Sequence, residues 1–129
     1  MKNKILQHKY RKNKKLTIKK LLSIQADDQR GDGESAAEIQ AVMRSYLEFR
    51  FAYPFTKTVT SQLMESFNSA TQQLLSDAKY EAFGEIAGAF VRTDYIRYSK
   101  NGSFSHAERN QLINKIIENI EVLEGEDND

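Results

Sequence analysis

Residues 35–54 read SAAEIQAVMRSYLEFRFAYP. Ile39, Val42, Met43, Tyr46, Leu47 and Phe51 recur there at intervals of three and four, which gathers them on one face of a 3.6-residue helix. Such a face has to be buried. Ser35 and Glu38 stand at the capping-box spacing that opens a helix. Pro54 stops it, because proline has no N–H to donate and restricts the residue before it. Beside the first row lies a second, Tyr46, Phe49 and Tyr53, so the apolar surface is wider than one partner helix needs. This predicts a central helix with neighbours on two sides, or one neighbour and a second copy of the chain, with Tyr46, Phe49 and Tyr53 as the homodimer interface.

Working towards the C-terminus, a helix is expected from between Thr58 and Ser61 to about Ser76, with Val59, Leu63, Phe67 and Leu74 inward. Another is expected from Asp77, as N-cap, to Asp94. Within it Gly84 and Gly88 form a G-x-x-x-G pair whose small size suits the close approach of another helix. YIRYSKNGSF, residues 95–104, reads as a loop whose Asn101-Gly102 carries a type I′ turn signal. The last helix opens on a second capping box, Ser105 and Glu108, and keeps its period through Leu112, Ile113, Ile116, Ile117, Ile120 and Leu123 until Gly125.

Towards the N-terminus the character changes. ADDQRGDGE, residues 26–34, is an acidic linker with two glycines. Before it, Ile18, Leu21 and Leu22 allow an amphipathic helix of about two turns from Thr17, and residues 1–15 show no sustained period and are expected to be flexible. The domain plan is therefore a basic arm at 1–25, a linker at 26–34, a helical bundle at 35–125 and an acidic tail at 126–129. The fold class is all-α, a bundle of four main helices preceded by the arm.

The net charge of +1 conceals an asymmetry. Nine Lys and Arg precede the first acid, Asp27, while the rest of the chain holds ten against eighteen acids. Cysteine is absent, which removes disulfides, thiolate metal sites and thiol nucleophiles. No apolar run approaches the roughly 18 residues of a membrane span, and no signal-peptide pattern is present, so a cytoplasmic protein is expected, or a nuclear one in a eukaryote.

Several motifs fail on inspection. Asp28, Asp32 and Gly33 fit part of a calcium loop, but Arg30 and Ile39 stand where ligands are required. Arg30-Gly31-Asp32 reads as a solvated turn. His8 and His106 are far apart in sequence, and no metal-ligand spacing, nucleotide loop or nucleophile elbow occurs. Thr17–Ile24 has the look of the first helix of a helix-turn-helix, but no recognition helix follows. No enzyme, cofactor, metal or small-molecule substrate is therefore expected.

Two basic regions with aromatic neighbours remain. In the arm, Lys9, Arg11, Lys12, Lys14, Lys15, Lys19 and Lys20 surround Tyr10 and suit phosphate neutralisation without sequence reading. The second is Arg92, Arg97 and Lys100 with Tyr95, Tyr98 and Phe104, whose rings either stack on bases or plug the end of the bundle. A nonenzymatic protein that associates with DNA or RNA at low sequence specificity is the expectation. The competing readings are a helical interaction subunit docking an acidic protein, and an arm that straps onto the chain's own acidic C-terminus.

Overall fold

A computed structural model of the chain describes residues 3–126, and these are all-α. In order come α1 (Asn3–Ala26), α2 (Asp32–Phe51), α3 (Leu63–Thr71), α4 (Asp77–Tyr98) and α5 (His106–Glu124), with short 3-10 turns at Phe55–Lys57 and Thr60–Gln62. The acidic tail beyond Glu126 lies outside the described residues.

The largest departure from expectation is at the start. Where a flexible arm with a two-turn helix was predicted, residues 3–26 form one helix of 24 residues, about 36 Å long at 1.5 Å per residue. Its inward positions are Tyr10, Lys14, Thr17, Leu21 and Ile24, which recur at four and three. Two of the five are polar, so the hydrophobic period is interrupted although the helical one is not. Thr17, Leu21 and Ile24 are nonetheless buried, and Lys14 is half-buried in an ion pair with Glu121 of α5. Lysine, leucine and glutamine are good helix formers, and no glycine or proline intervenes before Gly31.

α2 begins earlier than the capping box implied. Gly31 is its N-cap, Asp32 and Glu34 occupy the first turn, and Ser35 is already helical, its N–H donating to the Gly31 carbonyl at 2.9 Å. Ser35 is buried with its hydroxyl unpartnered among the described residues. The linker thus shrinks to a turn, and that turn is pinned. Arg30 pairs with Asp27 at 3.2 Å and with Glu38. Arg109 of α5, only 2% exposed, donates to the carbonyls of Gln25 at 2.8 Å and Asp27 at 3.2 Å and to the Asp28 carboxylate at 3.2 Å. A cation at the open carbonyls of a helix C-terminus satisfies both the hydrogen bonds and the dipole there.

α2 ends at Ala52, which takes the left-handed conformation (φ 51°) two residues before Pro54. Arg44 and Glu48, spaced for an ion pair within the helix, instead hold the following loop. Arg44 donates to the carbonyls of Phe55 at 2.9 Å and of Thr58, and Glu48 accepts from the Thr56 N–H and hydroxyl at 3.0 and 2.6 Å. α3 is shorter than predicted because Gln72 and Gln73 turn left-handed, at φ 54° and 58°. α4 is capped by Ser76, not Asp77, and runs on past Asp94 to Tyr98. α5 starts as read, with the Ser105 hydroxyl accepting from the Glu108 N–H at 3.0 Å. Between them, no described glycine has positive φ, so Asn101-Gly102 is not a type I′ turn. Glycine is required there for a different reason: a Cβ at Gly102 would lie 2.4 Å from the Tyr95 carbonyl oxygen.

The long helices pair in a closed ring, α1 with α2, α2 with α4, α4 with α5 and α5 with α1. The element expected as an appendage is therefore a wall, and the short α3 lies outside the ring against α4. Inside are Leu21, Met43, Leu47, Ile86, Ile113 and Ile120, continued under α3 by Phe67 stacked on Phe83 at 3.9 Å. A smaller cluster of Ala36, Ile96 and Phe104 closes one end. Within the described residues no other helix comes close to Gly84 or Gly88, since a Cβ at either meets nothing within 4 Å.

Candidate functional site

Helical geometry sorts the basic residues of α1 by face. With Tyr10, Lys14, Thr17, Leu21 and Ile24 inward, Lys9, Arg11, Lys12, Lys15, Lys19 and Lys20 all fall on the solvent side and are exposed, as is Lys4. None of these makes an ion pair among the described residues, and α1 carries no acid to offset them. Lys14 is the exception, because its ammonium is taken by Glu121. On its inner side α1 reaches an acid of α5 through this ion pair, while its outer side stays open.

Tyr10 is not available to stack on a base. It is half-buried, meets Phe49 edge-on (ring centroids 5.8 Å apart), and is covered by the Arg50 guanidinium at 4.1 Å. Arg50 in turn donates to Glu124 at 2.8 Å, and the same carboxylate oxygen accepts from the Tyr46 hydroxyl at 2.6 Å. Burial, and then the Glu124 carboxylate, push the Tyr46 hydroxyl far above its ordinary pKa, so it stays a donor. The predicted interface residues therefore do not share one open surface. Tyr46 is buried, Phe49 is exposed but lies against Tyr10, and Tyr53 is half-buried against Phe55. Of this second row, Phe49 meets α1, Tyr46 hydrogen-bonds to α5 and Tyr53 packs on the loop that follows α2.

The second basic patch is also reorganised. Arg92 donates to both carboxylate oxygens of Glu108, at 2.7 and 3.1 Å, and to the Ser103 carbonyl at 2.9 Å, tying the end of α4 to the start of α5. The hydrogen bonds to Arg92 hold the Glu108 carboxyl below its usual pKa, and those to Glu108 raise Arg92. Arg97 donates to Gln40 at 2.6 Å and lies over the Tyr98 ring at 4.7 Å. Arg97 and Lys100 are both exposed without an ion pair among the described residues, but only Lys100 is also without a side-chain partner there. Of the rings, Phe104 is a core residue, whereas Tyr95 and Tyr98 are exposed and plug nothing. Arg92, Arg97 and Lys100 therefore do not form a free cationic surface comparable with α1.

Two groups escaped sequence reading. The buried Arg109 looked like any charge in a first helical turn, and nothing local marked its partners at the end of α1. Gln40 is buried and bridges α2 to α4, donating to Thr93 and Asp94 at 2.7 Å each and accepting from Arg97. His106 lies 3.5 Å from Asp28, both exposed, and no cluster of three or more His, Cys, Asp or Glu suited to a metal ion occurs among the described residues. Comparison with protein-family models, with curated proteins and with solved structures finds no match.

Proposed function

We propose that this chain is a nonenzymatic nucleic-acid-associating protein that contacts phosphates through the open face of α1, with little dependence on base sequence. The observation that carries this is the sorting of charge on one helix: among the described residues Lys9, Arg11, Lys12, Lys15, Lys19 and Lys20 face solvent without an ion pair, while Lys14, turned inward, is paired with Glu121. The array stands on a helix that packs against α2 and α5, which places the charges before a polyanion arrives. Each phosphate neutralised releases condensed counterions, and that release is the driving term. Arg97, engaged by Gln40 and the Tyr98 ring, and Lys100 add auxiliary contacts. A cytoplasmic, homodimeric protein is part of this reading.

A second reading has its own observation. Ile5, Leu16 and Leu22 are exposed on the same face of α1 as the lysines, a mixture that also suits an acidic protein partner with apolar anchors.

Fluorescence anisotropy of labelled single- and double-stranded oligonucleotides over a salt series separates the two. Removing α1 is not a usable control, because Leu21 and Ile24 belong to the core. The informative variant is Lys12→Gln, Lys15→Gln and Lys19→Gln together, all exposed positions. For duplex DNA the log-log salt slope should flatten by about 0.9 for each phosphate contact removed. Absence of binding at low salt would reject the nucleic-acid reading in favour of the acidic protein partner.

A further inference from the structure

The open side of α4 is the least expected surface of the molecule. Gly84, Gly88, Val91, Tyr95 and Tyr98 follow one another at four, three, four and three residues, the spacing of a helix-packing seam. Among the described residues no other helix covers it. A Cβ at Gly84 or Gly88 would meet nothing within 4 Å, and Val91, Tyr95 and Tyr98 are 62%, 49% and 71% exposed. Beside Gly88 the surface dips into a recess between α4 and α5 formed with Ala89, Leu112 and Ile116.

We propose that this face is a homodimer seam in which α4 lies antiparallel against α4 of a second copy of the chain. Its self-complementarity singles out that occupant. The small residues fill the N-terminal half of the seam and the large ones its C-terminal half. Antiparallel pairing about a point between Gly88 and Val91 sets Gly88 opposite the second copy's Val91 and Gly84 opposite its Tyr95, so that these two large side chains enter gaps left by glycines, while Tyr98 falls opposite Glu81. Parallel pairing would set rings on rings and glycine on glycine. Charge follows the same order. Asp77 and Glu81 at the start of α4 and Lys100 just past its end are exposed without ion pairs among the described residues, and antiparallel pairing brings unlike ends together twice. A two-fold interface needs this kind of self-complementary patch. A polyanion fits poorly, because Asp77 and Glu81 stand at one end and Arg92 is held by Glu108.

This seam replaces the α2 face as the place where copies meet, and it stands without the nucleic-acid reading. If that reading also holds, the dimer gains a geometry from it. α4 and α1 occupy opposite corners of the helix ring, so two copies joined through α4 present two basic faces on opposite outer walls.

Sedimentation velocity of the full chain over about 1 to 100 µM, a range that brackets a micromolar Kd, is the test. A concentration-dependent dimer is expected. Gly88→Arg should raise its Kd by more than about tenfold, as bulk at the centre of an interface does. The same substitution should not lower the melting temperature of dilute monomer, since the site is open and arginine is the better helix former. Tyr95→Ser should weaken the dimer in the same direction. Glu81→Lys and Lys100→Glu should each weaken it by about two- to fivefold, as for exposed pairs, and the double swap should restore it. A monomer throughout overturns the proposal, as does a dimer indifferent to Gly88→Arg and Tyr95→Ser. Failure of the double swap to restore affinity overturns the antiparallel arrangement. The Lys12, Lys15 and Lys19 variant should leave the dimer unchanged, so failure here and failure of the nucleic-acid reading are told apart.

Discussion

α1 and α4 stand at opposite corners of the helix ring, and their outer faces are built on opposite terms. On α1 the inner face is compromised by Lys14 and Thr17 while the outer face carries unpaired cations. On α4 the inner face carries an apolar row, Phe83, Ile86 and Phe90, continued by buried Thr93, and the outer face is uncharged at its centre. The comparison separates burial from binding. α1 is anchored by a short apolar row with an ion pair in it and offers charge, whereas α4 is anchored by a longer apolar row, with Gln40 and Glu108 bonded at its C-terminal half, and offers shape.

The most severe way to break this contrast is at the anchor of α1. Arg109→Ala should lower the stability of the chain by about 3 kcal/mol in urea unfolding, because the buried guanidinium is lost and the carbonyls of Gln25 and Asp27 lose their donor. Leu21→Ala should cost a similar amount, about 3 kcal/mol, since Leu21 is fully buried, while Leu16→Ala on the outer face should stay within about 0.5 kcal/mol. Equal small effects at Leu21 and Leu16 would return α1 to the status of a loose arm.

A smaller effect of opposite sign is expected on α4. Gly84→Ala should stabilise the monomer by about 0.5 to 1 kcal/mol, because the added methyl meets open space and alanine is the better helix former. A loss of stability would show that something already covers the seam.

The smallest expected effect is electrostatic and lies where α4 meets α5. The folded-state pKa of Glu108 is depressed by its hydrogen bonds to Arg92. The stability this contributes is fully present above the ordinary carboxylate value of 4.5 and is lost as pH falls through the lower folded-state value. Melting curves of the wild type and Glu108→Gln should therefore differ modestly near neutral pH and converge as the solution is made more acid than about pH 4. A gap that widens in acid would contradict the pairing.

Much of this architecture was visible residue by residue. The period from Ile39 to Phe51 marked α2, the period from Leu112 to Leu123 marked α5, and Ser105 was recognisable as a cap. Apolar rows of this kind leave water whatever partner they find, so a one-dimensional pattern is enough to identify them. The start of α2 was misplaced because Ser35 and Glu38 imitate a capping box, while Gly31 and Asp32 open the helix one turn earlier. The candidate site was half legible. The density of arm lysines was plain, but their sorting into an outer array and one inner ion pair required a continuous helix.

By itself, then, the sequence determined an all-helical chain, the apolar faces of α2 and α5, and a concentration of positive charge before Asp27. Tertiary structure decided that α1 is a wall and not an arm, that Tyr10 and Arg92 are occupied, and that the open apolar face lies on α4 and not on α2. The reason is the difference between apolar and polar burial. Burial of Lys14, Gln40 or Arg109 is tolerable only when a particular acceptor arrives from a distant part of the chain, and no local pattern records that arrival.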